Sequence, residues 1–319
     1  MNALVTIFGG SGFLGRYAVR ALAKEGYRIR VAVRQPNIAN YLLPMGQVGQ
    51  IQLVKTNVTN PDAVAVAVRG ASAVINLVGV LHESGRQRFA ELHTRAAGHI
   101  AQAAKSAGAS SLVHMSSAGV GAISDSTYAR TKADGERLVR EAFPEAAILK
   151  PSIVFGPEDD FFNRFAAMAS MSPVLPLIGG GTTRFQPVYV GDVAAAVGTC
   201  IRDAATQGKT FELGGPTIYT FRQLMEIVLH ETGRRCWLVP LPYSLATLQA
   251  MFLQFLPNAP LTPDQVRLLR HDNVVSAEAL TLAELGIEAE TVEAILPSYL
   301  WRFRREGQYA GPTERVGAV

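Results

Sequence analysis

Tyr128 and Lys132 stand four residues apart, and Ser116 closes the apolar run before them. At that spacing a phenol and an ammonium lie one turn apart on one helix face. A cation there lowers the pKa of tyrosine, which suits proton transfer near neutral pH, and a serine beside it holds a substrate oxygen. A second constellation opens the chain. Residues 3–8 form a short apolar run that passes into Gly9, Gly10, Ser11, Gly12, Phe13, Leu14, Gly15 and Arg16. Gly10, Gly12 and Gly15 fit G-x-G-x-x-G, and Gly9, Gly12 and Gly15 fit G-x-x-G-x-x-G. Such glycines turn the chain off a strand, let backbone N–H groups approach a pyrophosphate and seat a helix against the sheet. The phosphates then lie at a helix N-terminus, where unpaired N–H groups and the helix dipole favour an anion.

About twenty residues on, the second apolar run ends in Arg34. An acid there would accept the ribose 2′-hydroxyl of NAD, whereas arginine pairs with the 2′-phosphate of NADP. With Arg16 beside the last glycine, the expected cofactor is NADP(H).

Elements that must position these groups follow from alternation. Apolar runs at 3–8, 28–33, 50–54, 73–78, 111–115 and 146–150 are separated by Ala-rich helical patterns at 17–24, 62–68 and 96–106. That rhythm predicts an α/β fold, a Rossmann-type doubly wound parallel sheet with a smaller C-terminal lobe. Ligands collect beyond the carboxyl ends of such strands. The expected cofactor contacts there are Asn57 and Val58, Leu77, Val78 and Gly79, Ser116, and Pro151, Ser152, Ile153 and Val154, with Tyr128 and Lys132. The Rossmann domain is expected over 1–155 and 186–209, the lobe over 156–185 and 210–305, and a tail over 306–319.

Composition excludes other classes. Two cysteines among 319 residues are no disulfide framework, and six histidines without ligand spacing predict no metal. A net charge of +4 is spread along the chain, without the basic stripe of a nucleic-acid binder. The N-terminus enters a strand at once, with no signal-peptide pattern.

The glycine turn and Tyr128-x-x-x-Lys132 resemble those of the short-chain dehydrogenase/reductase superfamily, in its extended or atypical branch. Residues 77–86, 150–164, 185–193, 219–224 and 238–242 add a narrower likeness over most of the chain. They resemble the family of nucleotide-binding accessory subunits of respiratory complex I, NADH:ubiquinone oxidoreductase. That resemblance implies a tightly held NADPH that supports structure and no turnover of its own. It also implies subunits of NADH:quinone oxidoreductase as partners, and a peripheral place on the cytoplasmic side of the inner membrane. In catalytic relatives an Asn helps complete a proton relay, and His93 takes its place here; the serine is doubled, Ser116 or Ser117. A free NADP-dependent reductase or epimerase using Tyr128, Lys132 and Ser116 is the alternative.

In the second half, residues 156–181 look loop-like, with Phe161, Phe162 and Phe165 expected either over the nicotinamide end of the cleft or in the lobe core. Residues 185–190 predict a further sheet strand, followed by a helix with Asp192 in its first turn. No charged residue falls between Arg235 and Asp264. Within that stretch 243–256 is apolar around most of its circumference, yet as a helix it reaches only ~21 Å, too short to span a bilayer. Burial in the lobe, a partner or a lipid surface would each cover it. Residues 300–305 mix aromatic and basic side chains suited to an anionic membrane surface or an acidic partner.

Overall fold

The computed structural model describes residues 3–85, 87–121, 123, 125–255 and 261–309. The chain divides into two units. The first comprises Met1–Pro151, Val190–Leu213 and Val275–Glu288, and the second Ser152–Tyr189, Gly214–Val274 and Ala289–Val319.

The first unit is built on seven parallel strands: β1 (Leu4–Phe8), β2 (Arg28–Val33), β3 (Ile51–Lys55), β4 (Ala73–Asn76), β5 (Ser111–Met115), β6 (Ala147–Pro151) and β7 (Thr210–Leu213). Their order is β7-β6-β5-β4-β1-β2-β3. Chain direction across the sheet reverses at β1, so β1 and β4 are neighbours and their carboxyl ends open the crevice where this fold takes its ligand. Side chains on both faces are buried, which explains why β1, β4 and β5 are near-continuous apolar runs rather than alternating ones. Helices α2 (Pro61–Val68), α3 (Ala96–Ser106) and α4 (Thr127–Ala142) cover one face through a core holding Phe8, Val74, Leu112, Val64, Ile100 and Val139. On the other face α1 (Phe13–Lys24) packs against α5 (Val190–Arg202), and Arg202 and Glu25 close an ion pair of 2.5 Å beside them.

β7 begins at Thr210, in a segment expected to belong to the lobe; it hydrogen-bonds along β6 instead. Residues 185–190 do not add a strand to the large sheet. They form two short pieces, Arg184–Phe185 and Val188–Tyr189, whose pairing lies within the second unit.

The second unit carries more helix than strand. Residues expected to form a loop contain the helix Phe161–Met171, because three phenylalanines at i, i+1 and i+4 find apolar partners. Phe162 is fully buried against Phe155, and Phe161 and Phe165 stack edge-on with Phe221 of the helix Phe221–Thr232. These aromatics are the core of their own unit. A parallel pair, Val174–Ile178 with Trp237–Leu241, leads into the helix Tyr243–Leu253. That helix is shorter than the apolar stretch that predicted it, and residue 256 and the end of the expected tail, 310–319, lie outside the described residues.

Candidate functional site

At the carboxyl end of β1 the chain turns through Gly9 at φ +78°, a left-handed conformation that favours glycine. Gly9 O accepts the N–H of Gly12 at 3.0 Å and closes the turn. A Cβ at Gly9 would stand 2.8 Å from the Leu77 carbonyl carbon, and one at Gly15 would stand 2.2 Å from Gly9 O. Those two glycines let the turn press on the β4 end and let α1 press on the turn. Gly10 is closed as well, its Cβ position lying 2.5 Å from Val31. Gly12 differs from all three. It is the exposed N-cap of α1, has no side-chain cap, and a Cβ on it would meet only Gly9 O, at 3.3 Å. Its bare side is thus less filled by protein than those of the other three, and it stands at a helix N-terminus, where the first N–H groups have no intrahelical partner.

Two arginines flank this turn. Arg34 directly follows β2, is exposed, and has no hydrogen bond or ion pair among the described residues. The Arg16 guanidinium lies over the Tyr41 ring at 5.2 Å and donates from Nε to Gly12 O at 3.4 Å. Tyr41 itself donates its hydroxyl to Ser11 O at 2.5 Å, tying the 3-10 segment Pro36–Met45 to the glycine turn. Sequence reasoning missed Tyr41, since it sits in a segment with neither helical nor strand period. Next to β3, Asn57 is exposed and caps its own turn by accepting from Thr59, while Val58 is buried in the core. Leu77 N donates to Phe8 O at 2.9 Å and Val78 N to the Asn76 side chain at 3.1 Å, so the β4 end is fixed against β1.

Around α4 the groups are more committed than their spacing implies. Lys132 is buried and donates from Nζ to Met115 O at 3.1 Å. Its ammonium lies under Gly79, where a Cβ would stand 3.3 Å from Nζ. Burial pulls the Lys132 pKa down to about 8, against an opposing pull from Glu136. The Tyr128 phenol is half-buried in an aromatic nest, with ring centroids 5.2 Å from His93 and 5.8 Å from Phe89. Desolvation there raises its pKa, only partly offset by a hydrogen bond with Ser117. Lys132 was expected to lower it. In this structure burial wins, and the phenol stays protonated at neutral pH.

Of the paired serines, Ser116 is held away from Tyr128. Its hydroxyl donates to Glu136, whose other oxygen is 3.7 Å from Lys150 Nζ, so Ser117 is the serine that meets Tyr128. Glu136 was legible in principle, standing one further turn along α4 from Tyr128 and Lys132.

His93 lies in the π-turn Ala90–Arg95 ahead of α3. Its Nε2 accepts the Val80 N–H at 3.1 Å, which leaves the proton on Nδ1, 3.2 Å from Thr131 Oγ1. Burial and the nearby Lys132 bring its pKa to about 3, so it orients a loop and carries no charge. His114, on β5, is held from Nδ1 by Asn76 Nδ2 at 3.1 Å, and its buried Nε2 has no partner among the described residues.

Of the other expected contacts, Pro151 ends β6 in the first unit. Ser152, Ile153 and Val154 belong to the second, where Ser152 Oγ donates to Asn273 O at 2.7 Å and Val154 pairs with Val188. Cys200 is buried, its thiol pushed up to about 12, and is unreactive for that reason.

A seven-stranded parallel sheet with a bare glycine turn at its switch point defines a Rossmann-type protein of the short-chain dehydrogenase kind. The chain belongs to the NAD dependent epimerase/dehydratase family, whose profile matches residues 5–214. It is similar to the mitochondrial NADH dehydrogenase [ubiquinone] 1 alpha subcomplex subunit 9 of Arabidopsis thaliana, at 34% identity over 97% of this chain and 80% of that one. It is also similar to the ceramide reductase of Caulobacter vibrioides, 31% identical over 76% of this chain and 74% of that protein. Among solved structures, DesIV, a dTDP-glucose 4,6-dehydratase from Streptomyces venezuelae with NAD and TYD bound, shares the fold. Its TM-score is 0.73 at 20% identity, covering 95% of this chain and 97% of that one.

Proposed function

We propose that this chain is an NADP(H)-binding accessory subunit of the membrane-bound NADH:quinone oxidoreductase, peripheral on the cytoplasmic face, with the nucleotide serving mainly as a structural part. Likeness to the Arabidopsis subunit over nearly the whole chain supports the partner. The observation that carries the nucleotide is Gly12, the exposed glycine of the turn whose Cβ position meets a single oxygen of the turn at 3.3 Å, whereas those of Gly9, Gly10 and Gly15 are filled by protein. Residues that would hold the cofactor are the backbone of Gly9, Ser11, Gly12, Phe13, Leu14 and Gly15 at the pyrophosphate, Arg16 and Arg34 at a 2′-phosphate, and Asn57 and Val58 toward the base. Leu77, Val78 and Gly79, with Tyr128 and Lys132, would line the ribose and nicotinamide side.

A structural role is favoured by the state of the polar groups. Ser116 is engaged with Glu136, His93 is neutral and engaged with Val80, and the Tyr128 phenol is a weak acid. Such groups grip better than they exchange protons. The second reading is a free NADP-dependent reductase. Its support is the contact of Tyr128 with Ser117, an acid and a carbonyl-orienting hydroxyl side by side, and the ceramide reductase relative.

Extraction of host membranes in mild detergent, purification of the tagged chain and assay of released nucleotide test both readings. Stoichiometric NADH:quinone oxidoreductase subunits with one NADP(H) per chain are the expected result. Recovery of the chain alone from the soluble fraction overturns it and favours the reductase. Arg34→Ala removes a charge-assisted pair worth about 1.5–3 kcal/mol, so the NADPH/NADH affinity ratio is expected to drop roughly 10- to 150-fold. An unchanged ratio would remove Arg34 from the site.

A further inference from the structure

The second unit carries a surface that neither the nucleotide nor its own core accounts for. Helix Tyr243–Leu253 is turned the wrong way round for a water-facing element. Its buried positions are Ala246 and Ala250, whereas Leu245, Leu248, Met251 and Phe252 point outward, followed by Phe255. Phe252 is 71% exposed and Phe255 82%. The strand that feeds the helix continues the pattern, with Trp237 78% exposed at its start and Val239 beyond it. Scattered exposed apolar residues need no explanation, but a run of this kind marks a contact.

What it contacts is indicated by the charge at its edge. Immediately before Trp237 a cavity of about 530 Å³ is lined by Arg234, Arg235 and Arg305 with Ser170 and Ser172, and no acidic side chain lines it. Arg234 is anchored, donating from Nε and Nη2 to Phe303 O at 3.0 and 2.9 Å. Arg235 and Arg305 have no ion pair or hydrogen bond among the described residues. From Arg235 the chain then runs to Asp264 without a charged residue. The Ser170 and Ser172 hydroxyls already donate to Ala166 O and Val174 O, so the two exposed guanidiniums at this concave site are the groups that match phosphate oxygens. The exposed apolar side chains that follow in the chain, from Trp237 to Phe255, match the acyl region beneath a layer of phosphates.

We propose that this face of the second unit docks on an anionic phospholipid bilayer, with Arg235 and Arg305 taking headgroup phosphate while Trp237, Leu248, Phe252 and Phe255 enter the acyl boundary. The inference deepens the membrane side of the functional reading by naming lipid, rather than protein, as what this face meets.

Cosedimentation of the purified full chain with vesicles tests it. The vesicles are phosphatidylcholine alone or phosphatidylcholine with about 30% phosphatidylglycerol. Binding is expected to be tighter on the anionic vesicles and to weaken as salt screens the surface. The double variant Arg235→Gln with Arg305→Gln is expected to lose roughly 30-fold in affinity for anionic vesicles. Phe252→Ser with Phe255→Ser should weaken binding to both kinds. All four side chains are exposed, so the fold, read by circular dichroism and by retained nucleotide, should be unaffected. Equal binding to the two vesicle types overturns the proposal, as does no binding at all. A dimer in light scattering that Phe252→Ser with Phe255→Ser dissolves also overturns it, by making a second copy the occupant. Vesicle binding needs no other subunit, so its failure is separate from failure to co-purify with the oxidoreductase.

Discussion

His93 and His114 each bury an imidazole near Lys132, and both resist a second proton for that reason. Their pKa values fall to about 3 in the folded chain, while the unfolded chain titrates near 6.5. Between those limits the unfolded state binds more protons. Stability from these groups is therefore complete above pH 6.5 and is lost as pH falls toward 3. Each contributes a slope of about 1.4 kcal/mol per pH unit inside that window. His114→Gln should flatten the acid limb of a denaturation-midpoint profile by about that amount relative to the parent, and superimposable slopes would show that His114 accepts a proton in place. His114 was visible in the sequence only as a histidine inside a strand. Its burial arises from β5 lying mid-sheet, and its pairing with Asn76 from the register of β4 on β5. Tyr128 shows the same limit. Spacing along α4 gave its relation to Lys132, but the opposing effect of Phe89 and His93 comes from a different turn of chain.

Among the elements, α1 and the turn before it were the most legible, because each glycine answers a local steric demand. The structure separates those demands. Gly15→Ala places a methyl 2.2 Å from a carbonyl oxygen, whereas Gly12 has φ −81° and a Cβ position whose single near neighbour is Gly9 O, at 3.3 Å. Gly15→Ala should therefore destabilise the chain by roughly 1–3 kcal/mol, as overpacking does. Gly12→Val should leave the nucleotide-free chain within about 1 kcal/mol of the parent and abolish nucleotide retention. Urea titrations with and without added NADPH distinguish the two, and a Gly12→Val chain still loaded with nucleotide would move the phosphate site elsewhere. Residues 161–171 were misjudged for the opposite reason. Pro and Gly flank them densely, and the helix forms because its phenylalanines are buried by segments far along the chain, Phe185 and Phe221 among them.

At the scale of the molecule, the alternation of strands and helices up to residue 151 carried the sheet almost to the residue, since a parallel strand buried on both faces leaves an apolar run that little else mimics. Its seventh strand was hidden. Thr210–Leu213 is four residues long and pairs with β6 across some sixty residues of intervening chain. The second unit, with short strands and helices of mixed pattern, left less trace: the phenylalanines at 161–165, the uncharged stretch after Arg235 and the aromatic-basic run at 300–305 stood out. The uncharged stretch has a consequence for how firmly its parts are held. Ala246 and Ala250 each bring one methyl group to the interior, and a buried methylene-sized group is worth about 0.8 kcal/mol. Tyr243 adds a hydroxyl bond to Leu269 O at 3.0 Å. With its larger side chains outside, the helix Tyr243–Leu253 is fastened mainly at its first turn, so local opening begins at its distal end and its backbone amides exchange with solvent long before those of the sheet.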